Sequence, residues 1–139
     1  MSALGKFMSG KTILVTGGSR SGKSRHALQL TRTEIGPKLF IATAEPFDEE
    51  MTERIKKHQN ERGKEWITIE EPLDPAIIVR EKGNQPGYIV LDCITLWLSN
   101  MVMKNMARQA ILDRVNNFIR ECKNSTSEII VITNELGSG

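Results

Sequence analysis

Residues 17–24 read GGSRSGKS, and Gly17, Gly22, Lys23 and Ser24 satisfy the pattern G-x4-G-K-[ST] between an apolar run, TILVT, and a helix-compatible segment, RHALQL. Each residue type in that pattern has a physical task. Glycines let the backbone curl until successive N–H groups face one anion, and the helix that follows aims its positive end at the same point. Lys23 adds a mobile positive charge for the outer phosphates, and the Ser24 hydroxyl is a ligand for Mg²⁺. Gly18, Ser19, Arg20 and Ser21 complete the cradle. A loop of this kind needs an acid beside the metal. YIVLD supplies one, because its four apolar residues read as a buried strand that delivers Asp92 to the carboxyl edge, where open α/β sheets bind ligands. Thr43 after LFIA and Asn134 with Glu135 after IIVIT end two further strands and are expected near the same edge, either as nucleotide contacts or as plain loop residues.

A second constellation lies in residues 48–62, DEEMTERIKKHQNER. Met51, Ile55, His58 and Arg62 recur at helical spacing, so the imidazole and the guanidinium prolong the stripe that the apolar residues begin. Neutral imidazole is a nucleophile near pH 7, and the surrounding Arg54, Lys56, Lys57 and Arg62 favour the neutral form while attracting phosphate. Spacing alone leaves two readings of His58 open: a nucleophile, or a half-buried helix histidine. His26, in the segment just after Lys23, is the competing histidine.

The elements that must hold these residues follow from periodicity. Short β-branched runs at 12–16, 38–43, 88–92 and 128–133, with a weaker one at 66–69, alternate with helical patterns at 23–32, 48–62, 75–81 and 105–123. This is the pattern of βα units around a mainly parallel central sheet flanked by helices. At 139 residues and 39% hydrophobic composition the chain is one α/β domain with one core, residues 1–11 forming an N-terminal extension. A net charge of +2 gives no broad field for nucleic acid or anionic lipid. Cys93 and Cys122 form no CxxC and read as reduced thiols. The most apolar stretch, YIVLDCITLWLSNMVM, is interrupted by Asp92, Ser99 and Asn100, so the expectation is a cytoplasmic protein without a membrane span. The sequence stops directly after a strand, where a βα protein would continue into another helix, and it is therefore expected to lack a C-terminal segment.

Five blocks in fixed order, ILVTGGSRSGKSRHA, FIATAEPFDEEMTERIKKHQNERG, WITIEEPLD, VLDCITLWLSN and VITNELGSG, resemble the bifunctional adenosylcobinamide kinase and adenosylcobinamide-phosphate guanylyltransferase family over about residues 12–139. The resemblance implies a RecA-like P-loop NTPase fold, Mg²⁺, ATP and GTP as substrates, a corrinoid acceptor and homo-oligomers, trimers in particular. It implies two reactions: phosphorylation of adenosylcobinamide, and transfer of GMP from GTP to the resulting phosphate. Residues 17–24 resemble the family's nucleotide-binding loop, and Ala42, Thr43 and Ala44 its second nucleotide-contacting segment. His58 resembles the histidine that carries GMP covalently, with Lys23 as the other catalytic group. Gln59, Asn60, Glu61, Arg62, Glu70 and Asp92 resemble further GTP contacts, and Ser24 with Asp92 the Mg²⁺ ligands. The family has a final stretch of strand and helix that this sequence does not contain.

Two other readings use fewer of these residues. A single-activity small-molecule kinase needs Lys23, Ser24 and Asp92 but not His58. A non-catalytic nucleotide-binding regulatory module accounts for Lys23 and Asp92 and leaves His58 and the downstream blocks without a role. ATP and GTP stay equivalent as phosphate donors, since the sequence has no NKxD-type guanine reader. Lys23→Ala removes the charge that neutralises the outer phosphates, so tight triphosphate binding should be lost. Calorimetric titration with GTP checks this, and unchanged affinity would refute the loop assignment.

Overall fold

The computed structural model of the chain describes residues 6–9, 12–17, 36–45, 49–50, 52–53, 56–57 and 65–134. The described strands are β1 (Lys6–Ser9), β2 (Thr12–Gly17), β3 (Lys38–Ala42), β4 (Trp66–Glu70), β5 (Tyr88–Asp92) and β6 (Glu128–Asn134). They form one sheet in the order β1-β2-β6-β5-β3-β4, in which β2 to β4 run parallel and β1 pairs antiparallel with β2. The expected strands are all present, with boundaries one residue longer or shorter. β1 is new, lying in residues read only as an extension.

The helices are α1 (Pro75–Lys82), α2 (Ile94–Met103) and α3 (Arg108–Asn124). Residues 49–50, 52–53 and 56–57 are helical as the periodicity predicts, whereas the expected 23–32 helix lies outside the described residues. Two expectations need correction. The segment 94–103, read only as an apolar run, is the helix α2. Leu96, Leu98, Val102 and Met103 on its outer side are as apolar as the buried Trp97 and Met101, so no amphipathic period marks it. Its cap is the Cys93 sulfur, which accepts from the Leu96 N–H at 3.5 Å in place of a Ser, Thr, Asp or Asn oxygen. The helix expected at 105–123 begins at Arg108 instead, because Asn105 sits at φ 59° and breaks the chain direction between α2 and α3.

Period-2 alternation divides the core into two layers. Leu39, Ile41, Ile89, Leu91, Ile129 and Val131 face α1–α3, where they pack with Val79, Trp97, Met101 and Phe118. Val15, Phe40, Ala42, Trp66, Val90, Ile130 and Ile132 share the opposite face. Burial on both faces is why β5 and β6 are continuous apolar runs and not alternating ones. Gly83 joins the ends of α1 and α3: its N–H caps Val79 O at 2.7 Å, and its carbonyl accepts from Thr126 N, Ser127 N and the Ser125 hydroxyl. A Cβ there would stand 2.5 Å from Val79 O, so the approach requires glycine. Among the described residues, no helix is long and apolar enough to cross a membrane.

Cys122 is buried on the sheet side of α3, and burial, with a smaller contribution from the Glu121 charge, pushes its thiol from 9.0 up to about 12. The folded pKa is raised, so the contribution to stability is complete below about pH 9 and is lost as pH rises towards 12, where the unfolded chain ionises first. Urea melts between pH 8 and 11 should show stability falling above pH 9 in the native chain and falling less in Cys122→Ala.

Candidate functional site

The parallel register fixes the site before any side chain is considered. Val15 pairs with Ile132, Ile132 with Asp92, Asp92 with Ala42, and Ala42 with Glu70. One row across the carboxyl edge therefore carries Asp92, Ala42 and Glu70, with Gly17 and Asn134 paired just beyond it. Adjacent strands lie about 4.8 Å apart, so Asp92, two strands from β2, stands roughly 10 Å across the edge from the strand that leads into the glycine-rich loop. Alternation puts Asp92 in phase with Val90, and Ala42 with Phe40, on the face opposite α1–α3. The edge thus brings together Gly17, Ala42, Thr43, Ala44, Glu70 and Asp92. Gly18, Ser19, Arg20, Ser21, Gly22, Lys23, Ser24, His58, Gln59, Asn60, Glu61 and Arg62 lie outside the described residues.

Glu70 is exposed, Asp92 half-buried, and Thr43 completely buried. The Thr43 hydroxyl accepts from Cys93 N at 2.9 Å and lies 3.1 Å from Asp92 O and 3.0 Å from Cys93 O, while Thr43 N donates to Asp92 O at 3.1 Å. A hydroxyl has one proton to donate, so these contacts use its donor and bind the turn after β5 to the end of β3. The Asp92–Cys93 peptide within that turn is cis. On the other side of β3, Glu71 N donates to Ala42 O at 2.9 Å, and the Glu71 carboxylate accepts from both Leu73 N and Asp74 N at 3.1 Å. The loop 71–74 is also tied to the helices: Leu73 O accepts from Trp97 Nε1 at 2.7 Å and from Arg114 at 3.1 Å.

One residue of this framework escaped the sequence reading. Asn100, buried in α2, donates through Nδ2 to Thr43 O at 2.7 Å and to Pro72 O at 3.1 Å. The available signal was a lone amide in the apolar run LWLSNMVM, but only the fold shows which carbonyls it meets.

Among the described residues no three His, Cys, Asp or Glu side chains converge as a metal site. Asp92 nevertheless fits the Mg²⁺ expectation, being a hard oxygen donor on the carboxyl edge at which β2 also ends, with Ser24 as the other expected ligand. The apolar groove of about 420 Å³ between β2, α2 and α3, walled by Leu14, Trp97, Leu98, Val115, Phe118 and Ile119, lies on the other face. Thr12 and Lys123 also line it, but the row of Asp92, Ala42 and Glu70 belongs to the opposite face, so size alone does not make it the reaction site.

A parallel sheet whose first parallel strand runs into G-x4-G-K-S, with an acid and two strand ends gathered at its carboxyl edge, defines an α/β nucleotide-binding enzyme of the P-loop NTPase class. The family model described as cobinamide kinase / cobinamide phosphate guanyltransferase matches residues 13–139. The chain is 37% identical over 127 residues to the bifunctional adenosylcobalamin biosynthesis protein CobP of Pseudomonas aeruginosa, covering 91% of this chain and 72% of that protein. It is 32% identical over 139 residues to the bifunctional adenosylcobalamin biosynthesis protein CobU of Escherichia coli, and 36% over 141 residues to that of Salmonella typhimurium. Both alignments cover 91% of this chain and 76% of the relative. The chain belongs to the cobinamide kinase / cobinamide phosphate guanyltransferase family, whose members combine two transferase activities in cobalamin biosynthesis.

Thr43→Val keeps the side-chain shape but strands the Cys93 N–H, so it should cost about 1–3 kcal/mol in a urea melt. Thr43→Ser keeps the hydroxyl and loses one methyl, about 1 kcal/mol. A smaller loss in Thr43→Val than in Thr43→Ser would show that packing, not the hydroxyl, holds the turn.

Proposed function

We infer that this chain phosphorylates the aminopropanol hydroxyl of adenosylcobinamide and then transfers GMP from GTP to the product, giving adenosyl-GDP-cobinamide. The observation that carries the reading is the single row of Asp92, Ala42 and Glu70 beside the end of β2, the strand that runs directly into the GKS loop. Backbone N–H groups of residues 17–24 and the Lys23 ammonium hold the triphosphate, and Ala42–Ala44 with Glu70 border the nucleotide. Ser24 and Asp92 would hold Mg²⁺, which would supply charge neutralisation at the phosphates. ATP or GTP serves as the phosphate donor, and the corrinoid is a small-molecule partner in the cytoplasm. The active form is a homo-oligomer, with a trimer as the reading inherited from the resemblance.

For the second reaction, an imidazole nitrogen of His58 attacks the α-phosphorus of GTP. The N–P bond forms, the bond from the α-phosphorus to the bridging oxygen breaks, pyrophosphate leaves, and the ring releases its other proton to solvent. The ring then takes a proton back from solvent on its other nitrogen, a phosphate oxygen of adenosylcobinamide phosphate attacks the same phosphorus, and the N–P bond breaks, returning neutral His58. Gln59 to Arg62 flank the nucleophile and contact GTP. The neighbouring Lys56 and Lys57 are helical and exposed, which supports a cationic surface beside the position of His58.

Incubation with GTP and Mg²⁺ should raise the intact mass by one GMP through a bond labile to acid and stable in base. His58→Ala should lose the label and guanylyl transfer while His26→Ala keeps both. Labelling that survives His58→Ala and vanishes in His26→Ala would reassign the nucleophile, and an unlabelled but GTP-binding wild type would favour the single-activity kinase.

A further inference from the structure

We propose that Asn100 is a positioning residue for the nucleotide site: its amide sets the spacing between the Ala42–Ala44 segment with Asp92 and the Glu70–Asp74 segment. The proposal rests on the nucleotide reading of those segments and adds to it a residue remote from the glycine-rich loop.

Three features separate this contact from ordinary core packing. Asn100 is one of three buried polar residues among those described, the others being Thr43 and Ser127, and it donates directly to the main chain of Thr43. Both Nδ2 contacts go to carbonyl oxygens, so the amide orientation is fixed chemically: a side-chain oxygen turned to that side would face two acceptors. The two NH₂ protons are thereby used on two different segments. Thr43 O follows β3, and Pro72 O belongs to the loop after β4.

The contact also completes a chain of bonds. Asn100 holds Thr43 O; the Thr43 hydroxyl holds the Asp92–Cys93 turn; Glu71 N holds Ala42 O; and Pro72 O returns to Asn100. Strand pairing fixes Asp92, Ala42 and Glu70 only up to the last ladder pair. Beyond it the chain leaves the sheet, and while the Thr43 hydroxyl joins the exits of β3 and β5, the Asn100 amide joins those of β3 and β4. A buried amide with both protons committed holds a distance more sharply than apolar contact, because moving either carbonyl strands a buried donor.

Trp97 provides the control. It lies on the same helix and also donates to loop 71–74, through Leu73 O, but none of its hydrogen bonds reaches Thr43. Asn100→Leu and the milder Asn100→Ser, which retains one donor, should be compared with Trp97→Phe in the full chain. Amide hydrogen exchange of Thr43 and Glu71 reads the geometry, and GTP titration with Mg²⁺ reads the consequence. In both Asn100 variants exchange at the two amides should accelerate on the order of tenfold beyond the change seen across the sheet, and GTP affinity should fall by a similar factor. Asn100→Ser should show the smaller effect, and Trp97→Phe should lose stability with neither local change.

Unaltered exchange in both Asn100 variants, or faster exchange with unchanged GTP affinity, would overturn the proposal. So would equal losses of affinity in Trp97→Phe and Asn100→Leu, which would reduce Asn100 to a packing residue. A wild-type chain that fails to bind GTP would overturn the nucleotide reading itself, a result separable from the others because it appears without any substitution.

Discussion

The register of the parallel ladder is the constraint from which the rest of the molecule follows. Side chains alternate along a strand with a period of two, so sliding β5 by one residue against β3 and β6 would turn Asp92 to the α1–α3 face and send Ile89 and Leu91 out of their layer. The observed pairing buries residues 88–91 of β5 and 129–132 of β6 on both faces and, as a geometric by-product, aligns Asp92, Ala42 and Glu70 in one row. Core formation and site formation are one event here. The hydrophobic term that selects the register is large and non-directional, whereas the site needs only that the polar ends emerge together.

The two faces then take different tasks. On one, α1–α3 seal the sheet with Val79, Trp97, Met101 and Phe118, and the Trp97–Phe118 edge contact at 5.2 Å fixes how α2 lies against α3. On the other, the strand ends that carry the candidate nucleotide residues point away from those helices. The helical face is therefore the rigid backing of the site, and α2 links the two: its apolar side fills the core while Asn100 and Trp97 secure the strand-exit loops. A buried polar group is costly unless fully bonded, and the Thr43 and Asn100 contacts supply those bonds at the point where the ladder ends.

Membership of the cobinamide kinase / cobinamide phosphate guanyltransferase family gives this arrangement its chemical context. Kinase and nucleotidyl-transfer chemistry both demand a triphosphate held by backbone N–H groups, a cation and a metal-bound acid, with little covalent work for the protein beyond a nucleophile. A parallel sheet edge is suited to that demand because several strands deliver short polar ends to one line, and two reactions can share the line while differing in which group attacks.

Local chemistry in the sequence was sufficient for the strands, for α1 and for the placing of Asp92, because each is written in adjacent residues: β-branched runs, the Pro75 start, and an acid closing YIVLD. The five sequence blocks likewise carried the family, in agreement with the match over residues 13–139. Three features could not be read so. β1 pairs along the edge through backbone hydrogen bonds that any short extended segment can make, so Lys6–Ser9 carries no distinctive pattern. α2 is apolar on its outer side as well as its inner, which erases the periodicity that would have announced it. The roles of Thr43 and Asn100 depend on partners 49, 50 and 57 residues away, at Asp92, Cys93 and Thr43 respectively. A hydroxyl and an amide look alike in sequence whether they meet water, ligand or main chain; only the packed sheet, by bringing distant carbonyls within 3 Å or so, decides which.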